Sequence, residues 1–145
     1  MSPLVIIAAF LGTVAFAILY DIPTKYCFVC GLSGMIGWII YSLLIPIVGD
    51  MIAIFIATIG IALISRYFAV WQKCPEIVFL VSGIFPIVPG AGIYWTAYYL
   101  VAGNMSMAAD NGSGALKTCL AMVLGIAIVH ELPQKLFSSI RVKND

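Results

Sequence analysis

Five long apolar runs, separated by short polar stretches, fix what this chain can fold into. They are Pro3 to Leu19, Tyr26 to Val48, Met51 to Trp71, Ile77 to Val101, and about Ser113 to Leu132. A bilayer crossing takes about 20 apolar residues as a helix, and each run is near that length. Only 9% of the 145 residues are charged and 63% are hydrophobic. Soluble domains carry about 25% charged residues, so this chain has too few to clothe a water-facing surface. The expectation is a single all-α integral membrane domain with about five transmembrane helices. The approximate spans are 3–19, 26–48, 51–71, 77–101 (broken near 85–93) and 113–132. The first basic residue, Lys25, follows the first apolar run, an order that fits a retained helix rather than a signal peptide.

Charge placement sets the orientation. With five crossings, Lys25, Arg66, Lys73, Lys135, Arg141 and Lys143 fall on one side, and Lys117 alone lies toward the other. Cytoplasmic loops collect Lys and Arg. The N-terminus is therefore expected outside and the C-terminus in the cytoplasm, in a multi-pass protein of a bacterial inner membrane. If the fourth run were re-entrant, the last three basic residues would change sides and the split would become nearly even. The asymmetry favours a fourth segment that crosses, and leaves the re-entrant alternative open.

That fourth run holds "GIFPIVPGAGIYW", Gly83 to Trp95. Pro86 and Pro89 each remove a backbone donor and clash one turn back. They also push Phe85 and Val88 away from helix. Gly90, Ala91 and Gly92 follow with little bulk. The expectation is two half-helices, roughly 77–85 and 94–101, with bare carbonyls ending the first and bare amides opening the second. Such backbone survives at membrane depth only inside protein or beside water. Transporters use it to bind substrates and ions. Gly83, Pro86, Val88, Pro89, Gly90 and Gly92 are thus candidate pathway residues. Tyr94 and Tyr98, four apart on the second half-helix, share a face and are candidate wall residues. The plainer alternative is a proline kink packed against neighbours.

"VFLVSGIFPIVPGAGIY", Val78 to Tyr94, resembles the central motif of the small subunit of the threonine/serine exporter (ThrE-type) family, with Gly83, Pro86, Val88, Pro89, Gly90 and Tyr94 matching. Ser82 stands where the family usually has proline, and Ile87 replaces leucine. "FAILYDIP" (Phe16 to Pro23) and "GLSGMIGWIIY" (Gly31 to Tyr41) resemble the family's stretches around its first and second helices. The resemblance implies one half of a two-component secondary exporter, assembled with a larger membrane subunit. It implies export of small polar metabolites, threonine and serine or dicarboxylates such as succinate, with coupling to the proton gradient. The competing reading is a non-transport scaffold or assembly subunit, with the kink as its docking feature.

The remaining polar residues are few. Arg66, near the end of the third run, is placed to snorkel to the interface. If it faces the bundle instead, it can attract an anionic or zwitterionic substrate. His130 and Glu131 together are candidates for a proton role, although adjacent helical residues diverge by about 100°. One histidine gives no metal site. Cys27 and Cys30 sit in an apolar run and read as packing residues. Gly31, Gly34 and Gly37 form a small-residue stripe for close helix packing. No cofactor, nucleic-acid signature or enzymatic constellation is present. The expected partners are the larger subunit, a small polar substrate and the bilayer, and a homo-oligomer is compatible with the sequence.

Overall fold

The computed structural model describes residues 3–132; Lys135, Arg141 and Lys143, used above for orientation, lie outside them. Six α-helices follow in order: α1 (Pro3–Leu19), α2 (Thr24–Val48), α3 (Asp50–Gln72), α4 (Ile77–Ile84), α5 (Gly90–Val101) and α6 (Met105–Glu131). A single 3₁₀ turn, Phe85–Ile87, extends α4. Among the described residues there is no strand. Helices α2, α3 and α6 are each long and apolar enough to cross a bilayer, and the α4–α5 pair, bent by 57°, makes a fourth if it is one span. Helix α1 is apolar but has only 17 residues. By length and composition the described residues therefore hold three to four candidate spans, and the expected count of about five is not confirmed.

The glycine stripe of α2 explains how the inner helices approach. A Cβ on Gly31 would lie 2.6 Å from both Phe10 and Val14 of α1, and one on Gly34 would collide with Thr13. A Cβ on Gly37 would collide with Ile61 of α3. Small residues let backbones approach where the hydrophobic effect between helices is absent. Two apolar clusters result. One joins α3, α4 and α6 through Ile54, Ala57, Ile61, Leu80, Met122 and Val129. The other gathers Ala17, Cys27, Val29, Cys30 and Phe79. Both cysteines of the C-x-x-C pair are thus buried as free thiols.

The last helix begins earlier than the sequence suggests. The polar stretch between the fourth and fifth apolar runs, Gly103 to Gly112, is helical from Met105 onward. The Asn104 side chain caps the start by accepting from the Met107 amide at 3.2 Å. Asn111 then donates to the Met107 carbonyl and Ser113 to that of Asp110. These side chains bond their own helix's backbone, so their polarity does not unwind it.

Helix α6 serves different neighbours along its length. Toward its C-terminal end, Gly125 fits against α3, where a Cβ would stand 3.1 Å from the Phe55 carbonyl and 3.2 Å from Thr58. Nearer its start, Ala115 and Gly112 receive α5 instead, at Gly92 and Thr96. Ala115 lies 10 residues from Gly125, about 15 Å along the axis. Helix α5 therefore packs on a part of α6 displaced from the α2–α3–α4 core.

Candidate functional site

The fourth segment is broken where the prolines predict, but more tidily than expected. Helix runs to Ile84, the 3₁₀ turn follows, and α5 resumes at Gly90. Only Val88 and Pro89 are left outside helical geometry, against an expected gap of 85–93. The two prolines' missing donors are replaced locally. Pro86 would have bonded the Ser82 carbonyl, which accepts from the Phe85 amide instead. Pro89 would have bonded the Phe85 carbonyl, which accepts from the Val88 amide at 3.3 Å. Pro89 itself, at φ −75° and ψ 53°, sits in an inverse γ-turn. That turn brings the Gly90 amide 2.7 Å from the Val88 carbonyl. The peptide groups of Val88, expected to be bare, are therefore bonded within the turn. The first α-helical bond of α5 is Ile93 N–H to the Pro89 carbonyl, 3.1 Å. The amides of Ala91 and Gly92 lie ahead of it, in the orphan positions of a helix start.

The candidate pathway residues divide by what holds them. Gly83 is a packing residue: a Cβ there would stand 2.7 Å from Ser33 Oγ and 2.9 Å from Ile61. Gly92 brings α5 close to α6, with Ala115 Cβ at 3.2 Å from the built position. Gly90 meets nothing within 4 Å and has no left-handed φ, so neither space nor backbone demands glycine there. Pro86 and Pro89 are half-buried, and Val88 is 43% exposed. The break thus lies at the surface of this chain rather than within its core.

Tyr94 and Tyr98 do share a face, and it points away from the rest of the chain. Gly92 and Thr96 contact α6. At 100° per residue, Tyr94 and Tyr98 project to the opposite side, and both are more than half exposed. Trp95 joins them into an aromatic surface, edge-on to both tyrosines and stacked on Tyr99.

A second constellation lies at the other end of α4. Arg66 does not snorkel; it is turned inward and only 6% exposed. Its Nη1 donates to the Leu132 carbonyl at 2.9 Å and its Nη2 to that of His130 at 3.3 Å. These are carbonyls at the end of α6, which a cation satisfies well. Arg66 Nε also lies 3.3 Å from Glu76 Oε2. The other oxygen of Glu76 is 3.2 Å from His130 Nε2. The histidine's carboxylate neighbour is therefore Glu76, a residue the sequence reading had not paired with it. Glu131 is exposed, because adjacent residues leave a helix in different directions. Burying an arginine is costly unless it is paired and hydrogen-bonded, and Glu76 with the two carbonyls provides for that. Among the described residues, no group of three or more His, Cys, Asp or Glu could hold a metal ion.

Apolar helices long enough to span a bilayer, one segment broken by paired prolines and no strand among the described residues define a polytopic helical membrane protein. The chain belongs to the threonine/serine exporter family: the family model described as "Threonine/Serine exporter, ThrE" matches residues 5–132. No curated protein and no solved structure matches it. Members of this family are transporters, so a transport role of exporter type follows from membership.

Proposed function

We propose that this chain is the small membrane subunit of a two-component secondary exporter for small polar metabolites. The substrates are threonine and serine, or a dicarboxylate such as succinate. The partner is a larger membrane subunit of the same family, in a bacterial inner membrane. In this reading the chain crosses five times, with α1 as a short crossing and α4–α5 as one broken crossing. Its N-terminus is outside and its C-terminus cytoplasmic.

One observation carries the proposal: the break opens at the chain's surface and not in its core. Val88 and Gly90 are exposed there, and the first amides of α5 lie ahead of any helical bond. Non-helical backbone and orphan amides at membrane depth need a protein or aqueous neighbour. The exposed Tyr94–Tyr98 face supplies hydroxyls beside that opening. A pathway shared between this surface and a second subunit meets both needs. It also fits the scarcity of ionisable groups in the spans, since groups for a charged substrate would come from the partner.

The test replaces Pro89 and Gly90 together with alanine in the strain that makes the whole exporter. Intracellular and medium levels of threonine, serine and succinate are compared with those of the parent and of a deletion strain. The variant is expected to accumulate the substrate inside, as the deletion does, while the larger subunit still co-purifies. Loss of the complex, with export defective only in proportion, would favour the scaffold reading instead.

A further inference from the structure

Helix α6 has 27 residues, about 40 Å at 1.5 Å per residue, and so exceeds a hydrocarbon core of about 30 Å. Its C-terminal end is fixed, because Arg66 holds the carbonyls of His130 and Leu132. About 20 residues counted back from His130 fill the core and end near Asn111. Lys117 then lies about 9 Å inside the far boundary, and any tilt of the helix takes it deeper.

Lys117 projects away from α5. Gly112 and Ala115 receive α5, and Lys117, two residues beyond Ala115, is about 200° round the helix from it. The side chain is exposed. Around it Leu116, Leu120, Val123 and Leu124 are 54–62% exposed, so the lysine emerges in an apolar surface. Among the described residues it has no ion pair.

The surface beside it suits a close neighbour. Asp110, Ser113, Gly114 and Lys117 have the i, i+3, i+4, i+7 spacing of one helix face, and all are exposed. A Cβ on Gly114 would meet nothing within 4 Å, and its φ is not left-handed. Neither packing within this chain nor the backbone therefore asks for glycine there, inside a helix that glycine weakens. Small residues let a second membrane helix come close. A lysine at this depth is costly against acyl tails and is normally paired. A second copy of the chain does not supply the pair. A two-fold contact sets the same patch against itself, which in one bilayer orientation brings Lys117 against Lys117. The charge calls for a carboxylate on a different chain.

We propose that the Gly114–Lys117 face of α6 seats a transmembrane helix of the larger subunit, with an Asp or Glu of that helix paired to Lys117. This rests on the two-subunit reading above and adds a second contact to the one at the break. Tyr94 and Tyr98 point away from α6 and Lys117 points away from α5, so the α5–α6 hairpin lies between helices of the partner.

The chain is produced alone and together with the larger subunit, and both preparations are treated in detergent with an amine-acylating reagent. Peptide mass spectrometry reads the rate at Lys117, scaled to that at Lys25, which is exposed on α2. Lys117 is expected to react at least about tenfold more slowly in the complex. Equal rates overturn the proposal and leave a lysine that snorkels. Protection in the chain alone, together with a dimeric mass, gives the face to a second copy and overturns it as well. Lys117→Leu should lower the larger subunit recovered with the tagged chain by at least about tenfold, and Lys117→Arg should retain it. Undiminished recovery with Lys117→Leu overturns the pairing. A complex that assembles with Lys117 still reactive defeats this contact alone. A larger subunit that never co-purifies with the unaltered chain defeats the two-subunit reading along with it.

Discussion

The two halves of the fourth segment have similar apolar composition and opposite fates. In α4, Phe79, Leu80, Ser82 and Gly83 are all buried, and in the longer α5 no residue is. Helix α4 is held to α2 by polar side chains as well as by packing. Ser33 donates to the Phe79 carbonyl at 3.4 Å and the Cys30 thiol to that of Val78 at 3.7 Å. Among the described residues, helix α5 packs chiefly on α6, through Gly92 and Thr96. A proline break thus separates a structural half from a half with an open face. The lesson is that hydropathy alone does not tell a core helix from a surface one in a membrane. Small residues and hydroxyls aimed at a neighbour's backbone do.

Substitutions break or sharpen that contrast. The largest effect is expected from Phe79→Ala, which empties a fully buried ring site and should cost about 3–5 kcal/mol. Thermal unfolding of the purified protein, followed by loss of monodisperse material, would show it. Gly83→Val is next, costing about 1–3 kcal/mol by overpacking against Ser33 and Ile61. The same change at Gly90, where a Cβ meets open space, should be near neutral in that assay. Equal destabilisation at Gly83 and Gly90 would erase the distinction between the halves. Ser33→Ala should cost only about 0.6 kcal/mol, the mean for a hydrogen bond between membrane helices. Smallest of all, Tyr98→Ala should change stability by less than about 0.5 kcal/mol while lowering export. A large drop in melting temperature there would mean the tyrosine packs within this chain.

The place of the break was legible in the sequence, for local reasons; which half is buried was not. Pro86 and Pro89 act on their own backbone, so the break's position follows from covalent chemistry. The glycines at 31, 34 and 37 announce close packing wherever their partners lie. The turn's self-bonding was not legible, because it depends on Pro89 reaching a ψ of 53°, which proline does not fix. The early start of α6 was hidden because asparagine and serine serve loops and helix caps equally. Glu76 was missed because its partners are 10 and 54 residues away. A hint existed: Glu76 is the acidic residue on the connection next to Arg66, on the same basic side.

The central claim is that the turn at Val88–Pro89 faces something wetter than lipid when the exporter is assembled. Cysteine placed at position 88 (Val88→Cys) and, as a comparison on the exposed apolar face of α1, at position 11 (Leu11→Cys) tests it through reaction with a water-soluble maleimide in native membranes. Both sites are exposed on this chain, so the chain's own packing does not separate them. The account predicts fast labelling at 88, slowed by substrate, and almost none at 11. Equal inertness at the two positions would contradict it.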